Sequence, residues 1–234
     1  PEETIAVAAA AIYQEIFTKM RKAYAGSPED EQQAAEEGIQ LRDRMRQAYP
    51  FHPALLDLMR QRWASLPEYQ RTRGALRFLA ACLRAHHKAG KSGIVLGPGD
   101  VMLSDHEVRR AIVKELGLMN RFDSVFQADL AGANSTASRI DKLRAKANPG
   151  EIGKNIAQRL ASAIFLYSFG GLRREGSAVA DILPPGVSEA DLLAACVGPD
   201  LDSRSAKACL SELRQGCLYL HFDGARYCFK QDPN

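Results

Sequence analysis

Arg71, Arg73 and Arg77 fall at the mouth of a helix that follows the break at Leu66-Pro67, in the run Gln70-Arg71-Thr72-Arg73-Gly74-Ala75-Leu76-Arg77. A guanidinium is a planar fork of donors, so arginines placed there suit an oxyanion such as phosphate. The competing reading is pairing with surface carboxylates, which the Arg/Glu-rich composition makes easy. A second basic set comprises Arg204, Lys207 and Arg214 on a late helix, with Arg226 and Lys230 on the hairpin after it. Their spacing suits the phosphates of duplex DNA. Glu212 sits among them, and the central turns of that helix hold no Asn or Gln to read adenine, so the expected contact is non-specific and salt-sensitive. The alternative is that this part packs against the rest of the chain or a partner protein.

Other chemistry is thin. Gly90-Lys91-Ser92 imitates a P-loop, but Ala85 stands where the first glycine belongs, and a helix leads into it where a strand should. No hydrophobic strand ends in paired acids to hold magnesium. Cys82 and His86 share a helix face with no third or fourth metal ligand in view. Neither a nucleophile elbow nor a Ser-His-Asp spacing is present, so no catalytic residue and no metal ligand is assigned.

The elements that must carry these residues are mostly helices. Ile5, Ala9, Ile12, Ile16 and Met20 recur at helical spacing over 4–25. Ser27, Pro28 and Asp30 open a second, highly charged helix over about 28–48, acidic at its start and basic at its end. Pro53 begins a third, with Leu55, Leu56, Leu58 and Met59 and the only tryptophan, Trp63, as a core anchor. A fourth runs from about Glu68 to Lys88 with Leu76, Leu79 and Leu83 on one side. Gly74 inside it costs about 1 kcal/mol of helix propensity, which a close backbone approach to a neighbour or ligand explains. Ile94-Val95-Leu96 reads as a short strand, Ser104 and Glu107 as a capping box, and 122–134 has no clear period. A helix follows over about 136–147.

From Gly150 a long helix carries Ile152, Ile156, Leu160, Ile164 and Tyr167. Shorter helices begin at Ser188 and Ser203, and two alternating runs then flank Asp223-Gly224, a hairpin signal. Three helices followed by a hairpin is the order of a winged helix. Tyr219, Phe222, Tyr227 and Phe229 read as core and cross-strand pairs before they read as platforms for bases.

The Pro50-Phe51-His52-Pro53 segment, the Gln70–Arg77 run, and the stretches GPGDVMLSD and FDSVFQADL resemble a family of large bacterial AAA+ ATPases encoded among phage-defence genes. The likeness is specific just after that family's nucleotide-binding core and looser toward the C-terminus. It implies a helical lid whose sensor-2 arginine reaches the γ-phosphate, a role that falls to Arg73, with Arg71 and Arg77 as weaker candidates. ATP and Mg2+ then belong only to an N-terminal P-loop core that this sequence lacks, so the chain alone is not expected to hydrolyse ATP. The resemblance gives no mechanism for the 97–134 landmarks.

The totals fit this picture. The 234 residues, 46% hydrophobic and 25% charged, can bury a core, and a net charge of +3 permits nucleic-acid contact without requiring it. Five cysteines without a CxxC pair point to reduced thiols and a cytoplasmic setting. No apolar run spans a bilayer and no signal peptide opens the chain, which begins at Pro1 as a piece of something longer would. The expected architecture is mainly α: a helical AAA+ lid-like domain over 1–148, then a winged-helix domain over 149–234. Expected partners are the ATPase core of the same protein, duplex DNA and other defence-system proteins. The rivals are a stand-alone winged-helix DNA-binding regulator and a protein-interaction scaffold that binds neither nucleotide nor DNA.

Overall fold

The computed structural model describes residues 2–91, 95–171 and 184–234. Ser92 and Ile94, named above in the loop and the short strand, lie outside them. The fold is mainly helical with one small antiparallel hairpin.

Helices α1 (Glu2–Lys22) and α2 (Pro28–Ala48) lie side by side, joined by the expected Ser27 cap, whose Oγ accepts the Asp30 amide. The predicted apolar stripe of α1 is only partly right. Ile5 and Ile12 are each 48% exposed, while Ala6, Ala10 and Met20 face inward. Small residues win because the two helices approach closely: a Cβ on Gly38 of α2 would lie 3.4 Å from Thr18 Cβ.

Chain direction changes at α3 (Pro53–Asp57), which His52 caps through Nδ1. A π turn (Leu58–Arg62) and a 3-10 turn (Trp63–Ser65) follow, so the expected third helix is regular only at its start. Trp63 is fully buried, and its Nε1 donates to the Leu166 carbonyl at 3.2 Å. Helix α4 (Arg71–Lys88) starts at Arg71, later than expected, and ends before Gly90, whose φ of 67° suits a glycine just past a helix C-terminus. Its buried face is Gly74, Phe78, Ala81, Cys82 and Ala85. Leu76 is 65% exposed, so the expected leucine stripe is corrected: the inner face is built from small and aromatic residues that let α4 sit close to its neighbours.

Of the expected Ile94–Leu96 strand, the described part makes one parallel bridge, Leu96 with Phe51. A 3-10 turn (Pro98–Asp100) leads to α5 (His106–Glu115), capped by Asp105, one residue later than the predicted box. α6 (Asp123–Val125) runs into a π turn (Phe126–Leu130), which explains why that segment shows no 3.6-residue period. α7 (Thr136–Ala147) comes next.

The long helix predicted from Gly150 begins only at Ile156, because Asn155 adopts a left-handed φ of 49°; Ile152 is left exposed in the connection. This α8 (Ile156–Tyr167) is buried almost all round, as a central helix must be. It touches the Pro98–Asp100 turn, α7, α9 (Glu189–Cys196), α10 (Ser203–Gly216) and the strand Tyr227–Phe229. The hairpin is β1 (Leu220–Phe222) with β2 (Tyr227–Phe229), Leu220 opposite Phe229 and Phe222 opposite Tyr227. Val187 adds an antiparallel bridge to Tyr227. One apolar core runs from Met20 to Phe229 and includes residues from both sides of position 148. Among the described residues no helix is long and apolar enough to cross a membrane.

Candidate functional site

The start of α4 is held from below. Glu115, 1% exposed at the end of α5, lies against the backbone at Gly74, where a Cβ would stand 2.7 Å from its Cδ. The same carboxylate accepts from Arg77 Nη1 at 2.9 Å. Gly74 is therefore required by a neighbouring side chain, and Arg77 is an anchored residue. Arg71 and Arg73 are exposed, and neither side chain makes an ion pair or hydrogen bond among the described residues. Arg84, farther along α4, pairs with Glu107 at 3.2 Å, and the groove between the helices is also lined by Arg110 and Lys114 of α5. Sequence reasoning passed over those two cations, although their spacing of four puts them on one helix face.

On α10 the cations are differently placed. Arg204 is exposed, and with Ala208, Ser211 and Gln215 it forms an outward stripe at helical spacing. Lys207 is engaged: its Nζ lies 4.3 Å from the Tyr24 ring centroid and 3.8 Å from Glu189. Arg214 stacks over Phe222 of β1 at 4.3 Å. Glu212 pairs with Arg144 at 2.6 Å, which reduces its repulsion toward an approaching anion. Arg226 turns back, its Nη1 donating to the Gly186 carbonyl at 3.2 Å, while Lys230 is exposed just past β2. The basic residues predicted as one set thus divide between α10, the hairpin end and a cleft on the other side.

The landmarks that had no sequence-level explanation are anchors. In GPGDV, Asp100 accepts the Gly97 amide at 3.0 Å and pairs with Arg159 of α8 at 3.2 Å; Arg159 also holds Asp200 at 2.8 Å. Burial pushes the Asp100 carboxyl above the usual range, and the Arg159 guanidinium opposes the shift. In FDSVFQADL, Phe122 and Phe126 pack edge-on or tilted against Phe165 of α8. Fully buried Asp129 accepts the amides of Leu218 at 3.1 Å and Tyr219 at 2.8 Å, fixing the entry to β1. Asp141 of α7 does the same for α8, accepting the Ala157 amide at 2.7 Å and the Gln158 amide at 3.1 Å. Orphan amides at a helix start favour such a carboxylate. Asp100, Asp129 and Asp141 each join the first part of the chain to the second.

The remaining candidates are structural. His86 shares its Nε2 with the Asp100 carbonyl, and Cys82 is buried, its thiol pushed up to about 12 by desolvation. Among the described residues no group of His, Cys, Asp or Glu is arranged to hold a metal ion, and the five cysteines are unpaired.

No curated protein and no solved structure matches the chain. Residues 8–181, from α1 through α8 and beyond it, match the model of the DUF499 second domain, while α9, α10 and the hairpin follow the matched span. Since that match covers most of the polypeptide, the chain belongs to the DUF499 second-domain family.

Proposed function

We propose that this chain is the lid and winged-helix part of an AAA+ ATPase of the phage-defence type it resembles, working in the cytoplasm. Arg73, supported by Arg71, reads the γ-phosphate of ATP bound with Mg2+ in a P-loop core, and the C-terminal unit passes that state to duplex DNA or a partner protein. The observation that carries the reading is the contrast at the start of one helix: Arg77 is pinned by buried Glu115, while Arg73 is exposed with no side-chain partner among the described residues. A sensor needs that combination, since a preorganised cation stabilises transferring phosphoryl charge without reorganising.

The winged-helix reading is supported by the order α8, Val187 bridge, α9, α10, β1 and β2, and by the outward stripe on α10. Because Arg226 turns inward, we assign the DNA phosphates to Arg204, Arg214 and Lys230, with Lys207 as a secondary contact. The lid and the winged helix share one core and are joined by Asp100, Asp129 and Asp141, so nucleotide state travels by rigid coupling of the two parts.

Steady-state ATP turnover by the protein carrying both core and lid tests the sensor. Arg73→Ala is expected to lower kcat on the order of 10²–10³-fold with ATP still bound, and unchanged turnover would remove Arg73 from the mechanism. The partner-protein reading gains from Lys207 being engaged by Glu189 and the Tyr24 ring, which leaves α10 less positive than its sequence suggests.

A further inference from the structure

The inward turn of Arg226 leads to a second site. Between α2, α3 and the end of α8, with α9 and Arg226, the residue before β2, closing the far side, lies a cleft of about 360 Å³. Arg62 lines it at only 6% exposure. Its Nη1 donates to the carbonyls of Pro184 at 3.2 Å and Tyr167 at 3.5 Å, and its guanidinium lies 5.3 Å from the Tyr167 ring centroid. Arg226 lines the same cleft, and among the described residues its side chain donates only to the Gly186 carbonyl. Neither guanidinium has a carboxylate partner among the described residues.

Three acids line the cleft as well, and two of them are paired with other cations. Asp57 holds Arg44 at 2.7 Å, Asp191 accepts from Ser188 Oγ at 2.7 Å, and Glu37 pairs with Arg21 at 3.2 Å. The third polar group is His52, 3% exposed. Its Nδ1 accepts the Ala54 amide at 3.1 Å, which puts the ring proton on Nε2. His52 lines the cleft, and its Nε2–H is buried beside it with no partner among the described residues. A buried donor left unsatisfied costs about 1–3 kcal/mol, and buried guanidiniums normally find a counter-charge. The cleft lies within the size range of small-molecule sites.

We propose that this cleft binds the oxyanion of a small ligand, a phosphate or a carboxylate group, between the guanidiniums of Arg62 and Arg226 and the Nε2–H of His52. The anion supplies the direct oxyanion partner that neither guanidinium has among the described residues, and an acceptor for the orphan donor. It sits where α2 and α3 meet α9 and Arg226, so its binding fastens the first part of the chain to the second. The site is independent of the proposed sensor and DNA contacts, since neither Arg73 nor Arg204 lines it.

Titration of the whole chain with inorganic phosphate, and separately with succinate, tests the site by 1H–15N NMR at constant ionic strength against chloride. The expected result is a saturable change centred on the His52 ring and the guanidinium signals of Arg62 and Arg226. The tighter of the two anions identifies the ligand group. Arg226→Gln and His52→Asn should each weaken binding at least tenfold, and Arg204→Gln should leave it unchanged. Arg226 is only half-buried, so its variant remains informative even if Arg62→Gln fails to fold. The proposal is overturned if neither anion gives a saturable change, or if Arg226→Gln and His52→Asn bind as the unaltered chain does.

Discussion

At the mouth of α4 two arginines form no ion pair among the described residues, whereas on α10 and the hairpin most cations have already found a partner. Glu115 takes Arg77 and leaves Arg71 and Arg73 projecting. On the other surface Tyr24 and Glu189 take Lys207, the Phe222 ring takes Arg214, and the Gly186 carbonyl takes Arg226. Both surfaces look basic in sequence. What separates them is where distant acids and rings come to lie: the two unengaged arginines of the α4 mouth fall within one helix turn, whereas Arg204 and Lys230 lie on different elements. Each surface also rests on a buried carboxylate: Glu115 packs against the α4 backbone, and Asp129 fixes the chain as it leaves α10.

The largest stability effect expected is at Asp129. Replacement by Ala leaves the amides of Leu218 and Tyr219 without their acceptor, at a cost of about 3 kcal/mol, measurable by urea unfolding. The hairpin amides should lose hydrogen-exchange protection while those of α4 keep theirs. Equal loss at both places would break the comparison.

His52 gives a pH signature. Desolvation, aided by Arg44, holds its pKa down to about 4 from 6.5. The folded chain therefore binds fewer protons than the unfolded chain in that window, so the His52 contribution is complete above about pH 6.5 and is lost as pH falls toward 4. The span corresponds to about 3 kcal/mol. Asp100 and Asp141, whose carboxyls burial pushes up, act in the opposite sense: their contribution is present at low pH and fades as pH rises through their folded values. The difference between wild type and His52→Asn isolates the histidine, because Asn keeps an acceptor for the Ala54 amide. An acid limb as steep in the variant as in wild type would show that His52 titrates normally.

The smallest effect lies on the α10 surface. If α10 meets DNA phosphates, Arg204→Gln should lower the slope of log K against log salt by about 1, and Lys207→Gln by less, since Lys207 is already engaged. Identical slopes for the two variants would erase the distinction drawn within α10.

Local signals were legible in the sequence. The Ser27 and Ser188 caps and the Asp223-Gly224 turn depend on neighbours a few residues away, and each forms as its spacing suggests. Helix faces were less legible. Hydrophobic size pointed to Ile5 and Ile12 on α1 and to Leu76 on α4, but close helix approach selects Ala6, Ala10, Gly74 and Ala81 for the interior. The anchors could not be read at all. Asp129 meets Leu218 across 89 residues, and nothing within FDSVFQADL distinguishes a hairpin clamp from a surface acid. The candidate site shares this limit: three arginines at a helix mouth were visible, but only the position of Glu115 divides them into one anchor and two projecting cations.

The central claim, that Arg73 reports nucleotide state, is tested most directly by measuring the affinity of this chain for the separately prepared ATPase core loaded with ATP or with ADP. A sensor that touches the γ-phosphate should bind the ATP-loaded core at least about tenfold tighter, a difference of about 1.4 kcal/mol, and Arg73→Ala should make the two affinities equal. Equal affinities for the unaltered chain, or a preference for ATP that survives in Arg73→Ala, would contradict the account.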